Sequence, residues 1–122
     1  MRLLIVDDSN LMRSRISRVV QDWGLAGVSL VGLARNGPEA IRIARSARPE
    51  VVALDLTMPE MDGVHCIKEL LRMFPALNIL VVSALSDQST AIAALRTGAR
   101  GVVSKPFTDD DLKKALLEVM AR

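Results

Sequence analysis

The chain has 122 residues, half of them hydrophobic and a quarter charged, with a formal net charge of +2 at pH 7. That length fits one domain with a single core, and the composition excludes a disordered chain. No apolar run approaches the roughly 20 residues of a membrane span, Met1 to Val6 leads into Asp7 and Asp8 with no cleavage-site pattern, and Cys66 is the only cysteine, so a reducing cytoplasm is the expected compartment.

Strand and helix patterns alternate five times along the chain. Leu3 to Asp7 reads as a short buried strand, and from Ser9 the period becomes helical, with Met12, Ile16, Val19, Val20 and Trp23 on one face until Gly24. Trp23 falls roughly 20 Å from the start of that helix at ~1.5 Å rise per residue. Val28 to Ala34 is a second strand, Asn36-Gly37 a turn, and Pro38 opens a helix that turns Ala40, Ile41 and Ala44 inward as far as Arg48-Pro49. The third strand is Val51 to Asp55. A loop, Leu56 to Asp62, follows it, with Met58 and Met61 expected to pack the loop down around Pro59. Gly63 opens a helix with Val64, Ile67, Leu70, Leu71 and Phe74 at core spacing, and Pro75 stops it. Ile79 to Ser83 is a fourth strand, Asp87 to Thr97 a helix ended by Gly98, and Val102 to Ser104 a short fifth strand expected at a sheet edge. Thr108 caps the last helix in a capping box with Asp111, and Leu112, Leu116 and Val119 form its buried face.

Strict β/α alternation with short connections implies a doubly wound parallel sheet with helices on both faces. The strands are continuous apolar runs, as burial on both faces requires. Arg13, Arg15, Arg18, Arg35, Arg42, Arg45 and Arg48 give the first half a basic surface, read as a solvated face with no direct nucleic-acid role. His65 shares the polar side of its helix with Lys68, Glu69 and Arg72, and Cys66 is expected to act as a small buried hydrophobe.

In an open parallel sheet the ligand crevice lies at the carboxyl ends of the strands, so strands ending in Asp7, Asp8 and Asp55 bring three carboxylates together. Two unit charges ~4 Å apart repel by about 4 kcal/mol at an effective dielectric of ~20, and such a cluster calls for a cation. An all-oxygen ligand set favours Mg²⁺. Taken singly, each acid is equally well read as a helix cap. Ser83 and Lys105 end the fourth and fifth strands, so a hydroxyl and an ammonium reach the same edge. Metal-flanked carboxylate, ammonium and hydroxyl together can attack and hold a phosphoryl group. No glycine-rich loop follows the first strand, which counts against flavin or nucleotide binding.

The pattern LLIVDDS, ALDLTMPEMDG, VVSA and GVVSKPF, in this order and at these separations, resembles the receiver domain of two-component response regulators over essentially the whole chain, residues 1–122. The resemblance implies a flavodoxin-like five-stranded parallel sheet of order 2-1-3-4-5 with five helices, the order that chemotaxis receivers share with flavodoxin. It implies that Asp55 accepts phosphate from a histidine kinase or phosphotransfer protein, that Asp8 binds Mg²⁺ directly and Asp7 largely through water, and that Thr57 offers the metal its backbone carbonyl. Ser83 matches the switch hydroxyl, Lys105 the ammonium that pairs with the phosphoryl group, and Lys105-Pro106 a peptide bond that is cis in the family. The implied output is a protein partner on the surface of the fourth helix, fifth strand and fifth helix, and the protein would catalyse only its own phosphorylation and dephosphorylation. The stretch Asp8-Ser9-Asn10-Leu11-Met12-Arg13 looks like the stand-alone chemotaxis branch.

One position departs from the pattern. The family's switch aromatic lies three residues before the lysine, where this chain has Val102, and a valine has no ring to swing toward Ser83. This departure suggests as an alternative a pseudo-receiver that binds without phosphate; a receiver belonging to a longer regulator and, less favoured, a phosphatase of similar architecture stand as further alternatives.

Overall fold

The computed structural model describes residues 1–22, 27–57 and 62–121. Trp23 and Gly24, the expected end of the first helix, and Met58, Pro59 and Met61 of the loop lie outside the described residues.

Five strands, β1 (Arg2–Val6), β2 (Ser29–Ala34), β3 (Val51–Asp55), β4 (Asn78–Ala84) and β5 (Gly101–Lys105), form one parallel sheet in the order β2-β1-β3-β4-β5. The helices between and after them are α1 (Asn10–Asp22), α2 (Gly37–Ala47), α3 (Gly63–Met73), α4 (Gln88–Thr97) and α5 (Asp109–Met120). Side chains alternate across the sheet, so the apolar runs divide into two cores. Leu4, Val6, Val52, Leu54, Ile79 and Val81 pack against Ala40, Ala44, Ile67, Leu70, Ala91 and Ala94 of α2, α3 and α4. Leu3, Ile5, Val51, Ala53, Leu80 and Val82 pack against Ile16, Val19, Val20, Leu112, Leu116 and Val119 of α1 and α5. Every residue of β3 is buried, whereas the outer strands β2 and β5 are mostly half-buried. None of the described helices is long and apolar enough to cross a membrane.

Boundaries shift where tertiary pairing decides them. Asp7 lies just past β1, and its backbone N–H donates to the Ala34 carbonyl at 3.0 Å. β5 takes in Gly101 and Lys105 because they pair with Leu80 and Ala84, and it occupies the expected edge. Asp87 belongs to a single 3₁₀ turn, Leu85–Asp87, that precedes α4. Met12, Ile41, Val64, Leu71 and Phe74, expected inside, are only partly buried because they sit at the borders of the helix faces.

The helix ends follow local chemistry. Asn36 accepts the Glu39 N–H at 2.9 Å, and Asp62 accepts that of His65 at 3.2 Å. At α5, Thr108 Oγ1 accepts the Asp111 N–H at 3.0 Å while Asp111 Oδ2 accepts the Thr108 N–H at 2.9 Å. The Lys105–Pro106 peptide is cis. Gly98 ends α4 at φ +133°, and a Cβ there would stand 2.5 Å from Leu71 Cδ1 of α3. Gly98→Ala is therefore expected to cost about 1–3 kcal/mol, read as a lower denaturant midpoint at unchanged slope; an unmoved midpoint would show that this turn relaxes without strain.

Candidate functional site

Val6 of β1 pairs with Leu54 of β3, so the residues that follow, Asp7 and Asp55, emerge side by side at the carboxyl edge of the two central strands. Asp7 is 1% and Asp55 2% exposed, while Asp8 is open to solvent. One carboxylate oxygen from each of Asp7, Asp8 and Asp55 lies within 4.8 Å of the others.

The two buried acids are held differently. Asp7 Oδ1 accepts the Ser9 N–H at 2.9 Å, but Oδ2 is buried without a hydrogen-bond partner. Burial pushes the Asp7 carboxyl up to about 6; the Ser9 N–H and the Lys105 ammonium oppose the rise, and the negative charge of Asp55 adds to it. Asp55 Oδ1 accepts three hydrogen bonds, from the Thr57 N–H at 2.9 Å, the Thr57 hydroxyl at 2.7 Å and Lys105 Nζ at 3.3 Å. The ammonium also donates to Thr57 Oγ1 at 3.4 Å, so Thr57 ties acid and base together. Asp55 Oδ2 accepts none from the described residues.

These donors fit a hard divalent cation. All are oxygens, and the orphaned Asp7 Oδ2 is a buried acceptor that a bound cation would satisfy. The cluster brings Asp7, Asp8, Asp55, Thr57 and Lys105 together as the sequence predicts.

Ser83 and Val102 stand one layer away. Ser83, 2% exposed, pairs with Ser104 in the sheet and has no hydrogen bond to Asp55, Thr57 or Lys105. With Val102, Ser104, Gln88, Ala91 and Ile92 it lines a cleft of about 190 Å³ between β4, β5 and α4. The space beside Ser83 that Val102 leaves unfilled is thus a real cavity.

Some supporting groups are not visible as such in the sequence. Arg13, grouped with the solvated basic face, is instead buried at 8% exposure, and its guanidinium donates to the Asp7 carbonyl and to Asn10 Oδ1. A buried guanidinium needs such acceptors, and the Asp7 carbonyl is free for it because α1 begins only at Asn10. Arg15 also leaves the solvated set: it pairs with Asp109 at 3.2 Å, donates to the Phe107 carbonyl at 2.6 Å and covers the Phe107 ring at 4.5 Å. The Thr57 hydroxyl is a further case, since only the carbonyl of that residue was expected to matter. Cys66 is buried, and burial pushes its thiol up to about 11, as a packing residue requires; His65 is exposed.

The family model described as "Response regulator receiver domain" matches residues 3–117. The chain is 37% identical over 118 residues to the chemotaxis protein CheY of Thermotoga maritima, covering 97% of this chain and 96% of that one. It is 40% identical over 105 residues to a protein-glutamate methylesterase/protein-glutamine glutaminase of Halobacterium salinarum, covering 84% of this chain and 29% of that protein. Among solved structures, the receiver domain of AraT from Geobacillus stearothermophilus superposes with a TM-score of 0.89 at 28% identity, covering 98% of this chain and 92% of that one. That of RcsB from Salmonella enterica serovar Typhimurium, solved with the phosphomimetic BeF₃⁻, gives 0.88 at 27% identity over 99% and 88%. A 2-1-3-4-5 parallel sheet that gathers three acids and a lysine at one edge, matched over nearly its full length by sequence and by fold, places this chain in the receiver domain family of two-component response regulators.

Proposed function

We propose that residues 1–122 act as a phosphoacceptor whose Asp55 takes one phosphoryl group from the phosphohistidine of a sensor kinase or phosphotransfer protein. The observation that carries this reading is the unequal treatment of the Asp55 oxygens: Oδ1 is fixed by Thr57 and Lys105, and Oδ2 accepts no hydrogen bond from the described residues. Oδ2 is the nucleophile. Its attack on phosphorus forms the P–O bond as the P–N bond to the donor imidazole breaks. Lys105, already hydrogen-bonded to Oδ1, is placed to receive charge on a transferring oxygen. Asp7, Asp8 and Asp55 with the Thr57 carbonyl would hold Mg²⁺, which when bound would supply Lewis-acid neutralisation of the phosphoryl oxygens. As the family resemblance implies, the exposed Asp8 would be the direct ligand and the buried Asp7 would act largely through water. The chemistry serves the protein's own state and turns over no outside substrate.

Phosphorylation replaces a carboxylate by a group of about −1.5 to −2 charge with three acceptor oxygens, which gives the Ser83 hydroxyl and Lys105 new partners. Ser83 lines the cleft beneath α4, so its movement toward the phosphoryl group changes the packing of α4 and β5. The face of α4, β5 and α5 then binds a downstream protein in one state better than in the other. Reversing a 1:99 population takes ~5.5 kcal/mol, a large demand on a few contacts. With Val102 in place of a ring, the coupling from Ser83 to this face is built differently from the family's usual switch.

Incubation with Mg²⁺ and acetyl phosphate is expected to add the mass of one phosphoryl group, and Asp55→Asn to abolish it. Rapid self-hydrolysis hides such an adduct, so beryllofluoride with Mg²⁺ is the companion measurement, with shifts expected in the α4 amides. Native protein inert in both assays would favour the pseudo-receiver.

A further inference from the structure

The opposite pole of the molecule carries a second concavity. It lies where the strands begin, at Arg2 of β1, Glu50 just before β3 and Asn78 of β4, a full strand length from the acids. The five residues of β3, at ~3.3 Å rise each, separate the two ends by roughly 15 Å. The cavity measures about 520 Å³, within the ~300–1,000 Å³ range of small-molecule sites. Met73, Phe74 and Pro75, at the end of α3, give it an apolar wall.

Two polar groups at this cavity are out of the ordinary. Arg48 is the one described non-glycine residue with positive φ, at +50°, a conformation that costs energy and that packing here enforces. It closes α2: its N–H donates to the Ala44 carbonyl at 2.9 Å, and its own carbonyl accepts Arg2 Nε at 2.8 Å. Its guanidinium has no partner among the described residues. Arg2, by contrast, is occupied by Glu50 at 3.5 Å. Asn78 is 4% exposed, and its Oδ1 is buried with no hydrogen-bond partner. A left-handed C-terminal position normally goes to glycine or asparagine, so an arginine held there places an unpaired cation beside an apolar wall and an unsatisfied amide.

We infer that this polar-rimmed cavity is a binding site for a small organic anion with an apolar, ring-sized body. The anionic group pairs with Arg48, and the body lies on Met73, Phe74 and Pro75. Charge selects the class, because the uncommitted ionic side chain among the described residues lining the cavity is a cation. The site shares no residue with the acidic cluster.

Anilinonaphthalene sulfonate has this chemistry, an aromatic body with one sulfonate, and serves as the probe. Titration is expected to give a single saturable site with amide shifts at Glu50, Met73, Leu77 and Asn78. Arg48→Gly, which suits the left-handed backbone and leaves the melting temperature unchanged or higher, should weaken binding roughly 10-fold. Arg48→Lys should recover part of the loss. The proposal is overturned if Arg48→Gly binds as tightly as the native chain, or if the shifts map to Ile92 and Leu95 on the exposed face of α4.

Discussion

An Asp7→Asn variant is expected to melt roughly 5–10 °C above the native protein at pH 8 without metal, and to bind Mg²⁺ more weakly. The native Asp7 carboxyl is raised from 3.8 to about 6 in the fold, mainly by burial. A raised acid means that the folded state holds the proton more tightly than the unfolded chain does. The associated stability is fully present below pH 4, drains away as the pH climbs from about 4 to about 6, and is absent above. A rise of this size corresponds to about 3 kcal/mol as an upper bound. Asparagine stays neutral and keeps an oxygen for the Ser9 N–H, so its advantage should vanish at pH 4 and reach a plateau above pH 6. Saturating Mg²⁺ stabilises the native protein more than the variant and narrows the gap. Thermal melts at pH 4 and pH 8, with and without Mg²⁺, check all three statements. An advantage of equal size at both pH values would mean that the charge of Asp7 is not what the fold resists.

Lys105→Met separates the two electrostatic duties of the site in opposite directions. Phosphoryl uptake from acetyl phosphate should slow by about 10²–10³-fold, the scale for losing one donor aimed at developing charge. Mg²⁺ should bind more tightly, because the three carboxylates then lack the ammonium that sits beside them. Without metal the variant should also be less stable, since Asp55, 2% exposed, loses its ion pair. Rates by intact mass and affinities by calorimetry give the split. Uptake at the native rate would remove Lys105 from the reaction.

Much of the architecture is legible in the residues because the physics is local or periodic. Continuous apolar runs in the strands, Gly98, Pro38 and the Thr108–Asp111 box each act within a few residues, and the 2-1-3-4-5 order comes with the family resemblance. Asp7, Asp55 and Lys105 are visible because each ends or follows a strand, and parallel topology sends all such ends to one edge. What escapes is set by neighbours distant in sequence. Gly101 and Lys105 are strand residues because β4 lies beside them. Arg13 looks like any surface arginine until the Asp7 carbonyl is found against it. Ser83 meets the edge as expected, but Asp55 pairs in register with Val82, so the alternation of side chains turns Ser83 to the opposite face, and that register is fixed by β3–β4 pairing rather than by local sequence.

The complete burial of β3 has a consequence for the order in which the chain comes apart. β3 is hydrogen-bonded on both sides, to β1 and β4, so its amides open only with global unfolding. Lys105 belongs to an edge strand with one neighbour and half-buried side chains, where opening is local and cheaper. The acidic cluster and its lysine therefore span a gradient of hydrogen-exchange protection, with Asp55 on the last segment to open and Lys105 on one of the first. On the proposed function a frayed β5 would silence the chemistry while the rest of the sheet is still folded, so phosphoryl acceptance would report the integrity of the edge rather than the survival of the core.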